Sequence, residues 1–257
     1  MPNLFFALSF FVFGLVFGSF ANVLILRDDR RKSILTGRSA CPHCGHPLSW
    51  YELLPILSFV MQGGRCRSCR AAISPQYPAI ELAGGLLFWL SWNLGGGSVL
   101  LASALSIAFL LLLVVAVIDI RTMYVPVEYV VAAGLIGAAG MLGAHQLTWM
   151  QAGQGILAGA GTLAAVMLSW KLLFDQDGMG SGDIWTGGAL GAIAGYPLAW
   201  VALAAAVFSG AAIGVLSIPF AKKGLQSAIP FGPFLFVGLL IAMVAGQAIV
   251  RWYTLYV

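Results

Sequence analysis

VLLASALSIAFLLLLVVAVID, residues Val99 to Asp119, is a charge-free run that ends on a carboxylate. A run of this length can cross the hydrocarbon core of a bilayer as one helix, since about 20 apolar residues are enough. Ionisable groups at the edge of hydrocarbon are expensive to keep there and mark functional sites by default. The stretch therefore predicts a membrane helix with one candidate functional acid, Asp119, at its end.

The composition of the whole chain extends this prediction. Of the 257 residues, 60% are hydrophobic and 9% are charged, whereas about 25% of the residues in a soluble domain are charged. We predict an all-α polytopic membrane protein with about eight transmembrane helices. The expected spans are residues 3–26, 79–94, 98–118, 127–145, 154–173, 184–196, 198–218 and 231–250.

The basic residues predict the orientation, because lysine and arginine favour the cytoplasmic side. With the N-terminus outside and alternating spans, twelve of the thirteen basic residues fall on the inner side, and only Arg251 falls outside. The first apolar segment lacks preceding basic residues, so we expect a retained helix and not a cleaved signal peptide. Topology and anionic lipid then explain the net charge of +4 without a nucleic-acid partner.

All four cysteines lie in the one sizeable polar insertion, residues 27–78. Cys41-Pro-His-Cys44 and Cys66-Arg-Ser-Cys69 are separated by 21 residues, slightly more than the usual spacing of paired zinc knuckles. Two such turns can supply four thiolates to a closed, structural Zn²⁺ site. We therefore predict three segments: a first helix over 1–26, a small cytoplasmic zinc-ribbon-like module over 27–78, and a multi-helix membrane domain over 79–257.

Two other interpretations of the cysteines remain open. They could form two disulfides or redox-active pairs, although a cytoplasmic location disfavours stable disulfides. His43 and His46 lie close to the first pair and are spare donors, but both are typical of solvated loop residues.

A second acid, Asp183, follows a glycine-rich loop in Gly178-Met-Gly-Ser-Gly-Asp183 and opens another apolar segment. The predicted topology puts it on the same face as Asp119. Two carboxylates at one site can share a proton and activate a water molecule, as in aspartyl proteases. Gly178, Gly180 and Gly182 would let an extended peptide lie close to the backbone beside the acid. We predict an aspartyl protease site at the membrane edge.

Simpler roles for these acids are also possible. Asp119 could pair with Arg121, and Asp183 could serve as a helix N-cap. Asp175 and Asp177 are typical of solvated loop carboxylates, and Glu81 and Glu128 could line the site or pair with arginines. Paired carboxylates also occur in ion or proton transporters, and the cysteine module could act as an adaptor in a structural assembly factor.

Helix ends suggest a role for each acid of the pair. Asp183 begins a helix, where the dipole end is positive, and Asp119 ends one, where it is negative. On that ground we predict that Asp183 is the ionised base that activates water and that Asp119 is the protonated acid.

The combination of motifs resembles the type IV prepilin peptidases, which are GxGD aspartyl proteases of the bacterial inner membrane. The resemblance covers almost the whole chain, with one departure at Val127, where many members carry a polar residue. Besides the two cysteine pairs, it rests on Gly18-Ser-Phe-Ala-Asn-Val23, Trp50-Tyr51-Glu52 with Pro55, Tyr77-Pro78 with Glu81, Asp119 with Val125-Pro126, Gly178–Asp183 and Pro230-Phe-Gly-Pro-Phe234.

This resemblance implies an enzyme that removes the leader of prepilins and type II secretion pseudopilins after a glycine, just before a hydrophobic helix. Asp119 and Asp183 would be its catalytic pair. Many members also methylate the new N-terminus with S-adenosylmethionine. The expected location is the inner membrane, with several passes and with the active site and cysteine module in the cytoplasm.

Overall fold

A computed structural model of the chain describes residues 3–28, 39–176, 179–217 and 229–256. Segment 29–38, Asp177 and Gly178 therefore lie outside the described part, as do Lys222 and Lys223, two of the twelve basic residues assigned to the inner side. The α-helices are α1 (Leu4–Asp28), α2 (Leu57–Met61), α3 (Gln76–Leu94), α4 (Val99–Thr122), α5 (Val127–Gly143), α6 (Trp149–Phe174), α7 (Ser181–Ala194), α8 (Leu198–Ser217) and α9 (Gly232–Tyr256). Among these residues, β pairing is limited to two isolated bridges, Ala40 with Pro47 and Arg65 with Ala72.

The predicted all-α membrane fold is confirmed, but the count of eight spans is not. Each expected span falls on a helix, and five of those helices are long and apolar enough to cross a membrane. They contain Leu4–Leu26, Val99–Thr122, Trp149–Phe174, Leu198–Leu216 and Gly232–Leu255. The other three fall short for physical reasons. α5 and α7 have 17 and 14 residues, about 26 and 21 Å of helix against a core of about 30 Å, and α3 includes the polar residues Gln76, Glu81 and Asn93.

The chain divides into two compact units, Met1–Ser106 and Ile107–Val257. In the first unit, α1 packs closely against α3. A Cβ on Gly18 would lie 2.8 Å from the Glu81 Cα, and Gly14 meets the backbone of Gly84 and Gly85. One turn further on, the Asn22 Nδ2 donates to the Tyr77 carbonyl at 3.2 Å. Gly14, Gly18 and Asn22, at four-residue spacing, therefore form the face of α1 that packs against α3.

In the second unit, α7 is the central helix and contacts α5, α6, α8 and α9. Gly155 and Gly159 of α6 meet Gly191 and Gly187 of α7 backbone to backbone, an approach that only glycine permits. The middle of α7 is thereby packed against the neighbouring helices, and this packing fixes the position of the residues in its first turn.

Candidate active site and metal centre

Asp119 lies near the C-terminal end of α4 and is 4% exposed. Its Oδ2 accepts a hydrogen bond from the backbone N–H of Gly232, the first residue of α9, at 2.9 Å. A Cβ at Gly232 would lie 2.7 Å from the same oxygen. The carboxylate is therefore held by a backbone donor in a gap that a side chain would close.

Asp183 lies in the first turn of α7 and is 8% exposed. Its backbone N–H donates to the Gly180 carbonyl at 3.1 Å, and its carboxylate accepts a hydrogen bond from the Gly180 backbone. Asp119 lies within electrostatic range of the Asp183 carboxyl. The two acids that the sequence singled out are therefore brought together, buried, in the second unit.

Hydrophobic packing fixes the helices that carry the two acids. Val115 of α4, Val130 of α5 and Ala189 of α7 form a buried cluster. Val125, in the connection between α4 and α5, packs against this cluster. A Cβ on Gly182 would lie only 2.5 Å from the Val125 Cβ. Gly182 thus allows the residue before Asp183 to lie directly against the segment that follows Asp119.

Gly232 also bears on the roles predicted for the two acids. The sequence argument used only the helix that contains each aspartate. Asp119 also faces the N-terminal end of α9, which has the same positive dipole end that α7 offers Asp183. Helix ends alone therefore do not distinguish the acids, and the assignment of the proton to Asp119 stays a prediction.

The remaining acids have separate positions. Asp175 follows α6 in a left-handed conformation (φ 51°) and is exposed. Glu128 lies in the first turn of α5. Glu81 belongs to the first unit, where its Oε2 accepts the Ile56 N–H at 2.7 Å and its carboxylate also bonds the Ser19 side chain.

The four cysteines come together as predicted. One sulfur atom from each of Cys41, Cys44, Cys66 and Cys69 lies within 4.8 Å of all the others, and the Cys41 and Cys69 sulfurs are 3.9 Å apart. Four thiolates around a tetrahedral Zn²⁺ at about 2.3 Å would be separated by about 3.8 Å. The cluster therefore fits a metal ion, and the four thiols are free in the structure.

The two cysteine pairs form equivalent turns. Cys41 N–H donates to the His46 carbonyl and Gly45 N–H to Cys41, while Cys66 N–H donates to Ala71 and Arg70 N–H to Cys66. Gly45 and Arg70 occupy matching positions with φ of 71° and 62°. Each turn thus directs its two sulfurs to the same point.

Backbone N–H donors lower the pKa of the thiols, whereas desolvation and neighbouring sulfur atoms raise that of Cys44. The backbone N–H groups of Cys44 and His43 lower the pKa of Cys41 to about 7. At Cys44 the His46 N–H also acts to lower the pKa, but desolvation and the sulfurs of Cys69 and Cys41 outweigh it and raise the pKa to about 11. Sulfurs this close resist joint ionisation unless a cation compensates their charge.

Comparisons with known proteins match almost the whole length of the chain. A model of the bacterial peptidase A24 N-terminal domain matches residues 12–94, and one of the type IV leader peptidase family matches residues 106–215. A prepilin leader peptidase/N-methyltransferase of Aeromonas salmonicida (strain A449) is 33% identical, over 98% of this chain and 95% of the relative. The chain belongs to the type IV leader peptidase family.

Other relatives of the chain have the same name as the Aeromonas salmonicida protein. The protein of Bacillus subtilis (strain 168) is 32% identical over 95% of this chain and 96% of its own, and that of Pseudomonas aeruginosa PAO1 is 29% identical over 96% and 93%. No solved structure matches the chain. The predicted family is confirmed, as is a multi-pass membrane protein, and the transporter alternative is not supported.

Two residues that position the acids, Gly232 and Val125, are not predicted from the sequence. Gly232 had been noted only as part of a motif, and Val125 only as the residue before a proline. Their contacts with Asp119 and Gly182 join distant segments of the chain. The clue in the sequence was the glycine between two prolines in Pro230-Phe-Gly-Pro233.

Proposed function

We propose that this chain is an aspartic endopeptidase of the inner membrane, with Asp119 and Asp183 as its catalytic pair. Its substrates are the leaders of type IV prepilins and type II secretion pseudopilins, cut after a glycine that precedes a hydrophobic helix. The observation that carries the proposal is the pair of buried carboxylates at the ends of two helices that pack together through Val115 and Ala189.

In the proposed reaction, one carboxylate takes a proton from water while the other carboxyl donates its proton to the oxygen of the scissile carbonyl. The water oxygen bonds to the carbonyl carbon, and the C–N bond breaks as the leaving nitrogen accepts a proton. One water molecule is consumed, and the products are a leader with a new carboxylate and a mature chain with a free amine. We assign the base to Asp183 and the acid to Asp119.

The substrate is expected to lie in extended form beside Asp183, along the loop of Gly178, Gly180 and Gly182. Of the two glycines that the structure describes, Gly180 leaves more space, since a Cβ there would meet only the Asp183 Oδ2, at 3.8 Å. Val125 fills the space beside the Gly182 Cα. A bound peptide would therefore pass Gly182 on the face opposite Val125. A substrate contact at Glu81 stays a prediction from the sequence, since its carboxylate is bonded to Ile56 and Ser19 within the first unit.

Cleavage is tested with the purified chain in lipid nanodiscs and a purified prepilin. Intact-mass spectrometry should find the free leader and a mature pilin that begins after the glycine. An unchanged prepilin mass, with a verified relative cutting the same sample, would refute the proposed activity.

We also propose that the chain methylates the new N-terminus with S-adenosylmethionine. The support is the name of its relatives, prepilin leader peptidase/N-methyltransferase. With labelled S-adenosylmethionine, the mature pilin should gain one methyl group at its N-terminal nitrogen. A mature product that stays unmethylated under conditions where a relative methylates it would remove this second activity.

For the module over 27–78, we propose a structural Zn²⁺ held by Cys41, Cys44, Cys66 and Cys69. A closed four-thiolate site would stabilise folding and leave no open position for water. Each Cys→Ser change should lower the zinc content from about one per chain and increase proteolysis within residues 39–75, as measured by metal analysis and limited digestion. His43→Ala, the control, should retain zinc. Metal-free protein with two stable disulfides under cytoplasmic redox conditions would contradict this.

The proposed orientation has the N-terminus outside and both acids at the cytoplasmic face. Single cysteines at Thr122 and Ser181, in a background with the native four replaced by serine, should react only when a membrane-impermeant thiol reagent reaches the cytoplasm. A cysteine at Thr148, the N-cap of α6, should react from outside. Labelling of Ser181 from outside and Thr122 from inside would separate the acids and refute the proposed pair.

A further inference from the structure

Part of the cysteine-bearing segment exposes an unusual amount of apolar surface. α2 is a short apolar helix with no buried residue, and Leu57, Val60 and Met61 are 53%, 67% and 76% exposed. The 3₁₀ turn Trp50–Leu53, which packs against α2, exposes Trp50 and Tyr51 as well. Together Trp50–Met61 form an exposed apolar surface, which we call the α2 surface.

Hydrogen bonds place the α2 surface at a defined depth along α1 and α3. The N–H of Ile56, the residue before α2, donates to the Glu81 carboxylate at 2.7 Å, and the same carboxylate bonds Ser19 of α1. Ser19 lies seven residues before Leu26, where the apolar span of α1 ends, or about 10 Å along the helix. Ile56 is therefore held at a level within the apolar span of α1 and not beyond its end at Leu26.

The neighbouring surface of α1 faces the same surroundings. Val16, Phe17 and Phe20 are 53%, 46% and 50% exposed at the level of Ser19. Within a membrane span, apolar side chains exposed in this way contact lipid. The exposed side chains of α2 are thus held near a depth at which α1 also exposes apolar side chains.

Aromatic and basic residues border the α2 surface. Tyr51 contacts Trp50 edge to face with ring centroids 5.8 Å apart, and the Arg67 guanidinium lies over the Tyr51 ring at 5.5 Å. Arg65 and Arg70, which flank the turn of Cys66 and Cys69, are also exposed. Tryptophan and tyrosine are enriched at the level of lipid headgroups, and clustered arginines bind anionic lipid there.

We propose that the α2 surface is inserted into the edge of the lipid bilayer, with Leu57, Val60 and Met61 among acyl chains. Trp50 and Tyr51 lie at the headgroups, where the arginines bind anionic phosphate. Glu81 sets the depth of insertion by holding the Ile56 N–H. The cysteine turns are thereby fixed against the membrane surface. This proposal does not depend on the catalytic one.

The test uses the full-length protein in phosphatidylcholine vesicles with and without phosphatidylglycerol. A photoreactive diazirine amino acid replaces Val60 or Met61. The matched control carries the same amino acid at Ser68, which is exposed in the turn between Cys66 and Cys69. After illumination, mass spectrometry should find lipid adducts at Val60 and Met61 several-fold more often than at Ser68. Phosphatidylglycerol should be over-represented among adducts from a probe at Trp50.

Protein adducts alone at Val60 and Met61, either within the chain or with an added prepilin, would overturn the insertion. Equal lipid labelling at Ser68 would overturn it too. The role of Glu81 is tested in the Met61 probe background. Glu81→Ala should reduce lipid adducts several-fold, whereas Glu81→Gln, which keeps an acceptor oxygen for the Ile56 N–H, should retain them. Unchanged adducts in Glu81→Ala would refute the anchoring by this residue.

Discussion

Asp119→Asn and Asp183→Asn should each lower prepilin cleavage by about 10⁴-fold or more, because loss of one member of a concerted catalytic group removes nearly all of its contribution. Each change preserves the size of the side chain, so the fold and membrane insertion should be retained. The measurement is the rate of leader release by the purified variants in nanodiscs.

Asp175→Asn is the control for these variants, since Asp175 is exposed at the end of α6. It should retain most activity. Rapid processing by Asp119→Asn or Asp183→Asn, or an equal loss in Asp175→Asn, would remove the assigned pair.

Gly232→Ala should lower cleavage by about 10²-fold, the scale expected when a catalytic group is misplaced by about 1 Å. The new Cβ would lie 2.7 Å from the Asp119 Oδ2, so the carboxylate must move to make room. The nearest atom to the new Cβ is the end of the Asp119 side chain and not packed backbone. The free energy of unfolding should therefore change little. The effect should fall on the rate of the chemical step, measured under single-turnover conditions.

Gly161→Ala is a matched control within α6, because a Cβ there meets no atom within 4 Å. It should retain full activity and be at least as stable, since alanine favours helix over glycine. Thermal unfolding of both variants completes the comparison. If Gly232→Ala loses activity only in proportion to a loss of folded protein, the steric argument at Asp119 is wrong.

Much of this fold is readable from the sequence because burial in lipid leaves few alternatives to apolar helices. Long runs such as Val99–Ile118 define their helices without tertiary information. The count of eight spans is not confirmed where length and glycine content are borderline. The 14-residue α7 is held by close contacts of Gly187 and Gly191 with α6, and no local pattern predicts such support.

The two acids of the candidate site were predictable because a carboxylate at an apolar boundary stands out in a chain with 9% charged residues. The backbone donor to Asp119 was not, because Gly232 is 113 residues away. The same holds for Val125 and Gly182, which meet only when α5 packs against α7. The two carboxylates could be predicted from the sequence, whereas the contacts that hold them in place depend on tertiary packing.

The joint action of Asp119 and Asp183 is tested most directly by comparing the two single Asn variants with the double variant. Residual leader release should be quantified by mass spectrometry under single-turnover conditions. If the acids share one proton-transfer cycle, the double variant should be no slower than either single variant, because one loss already stops the cycle. A double variant whose loss equals the product of the two single losses would mean that the acids act independently, and it would contradict the account.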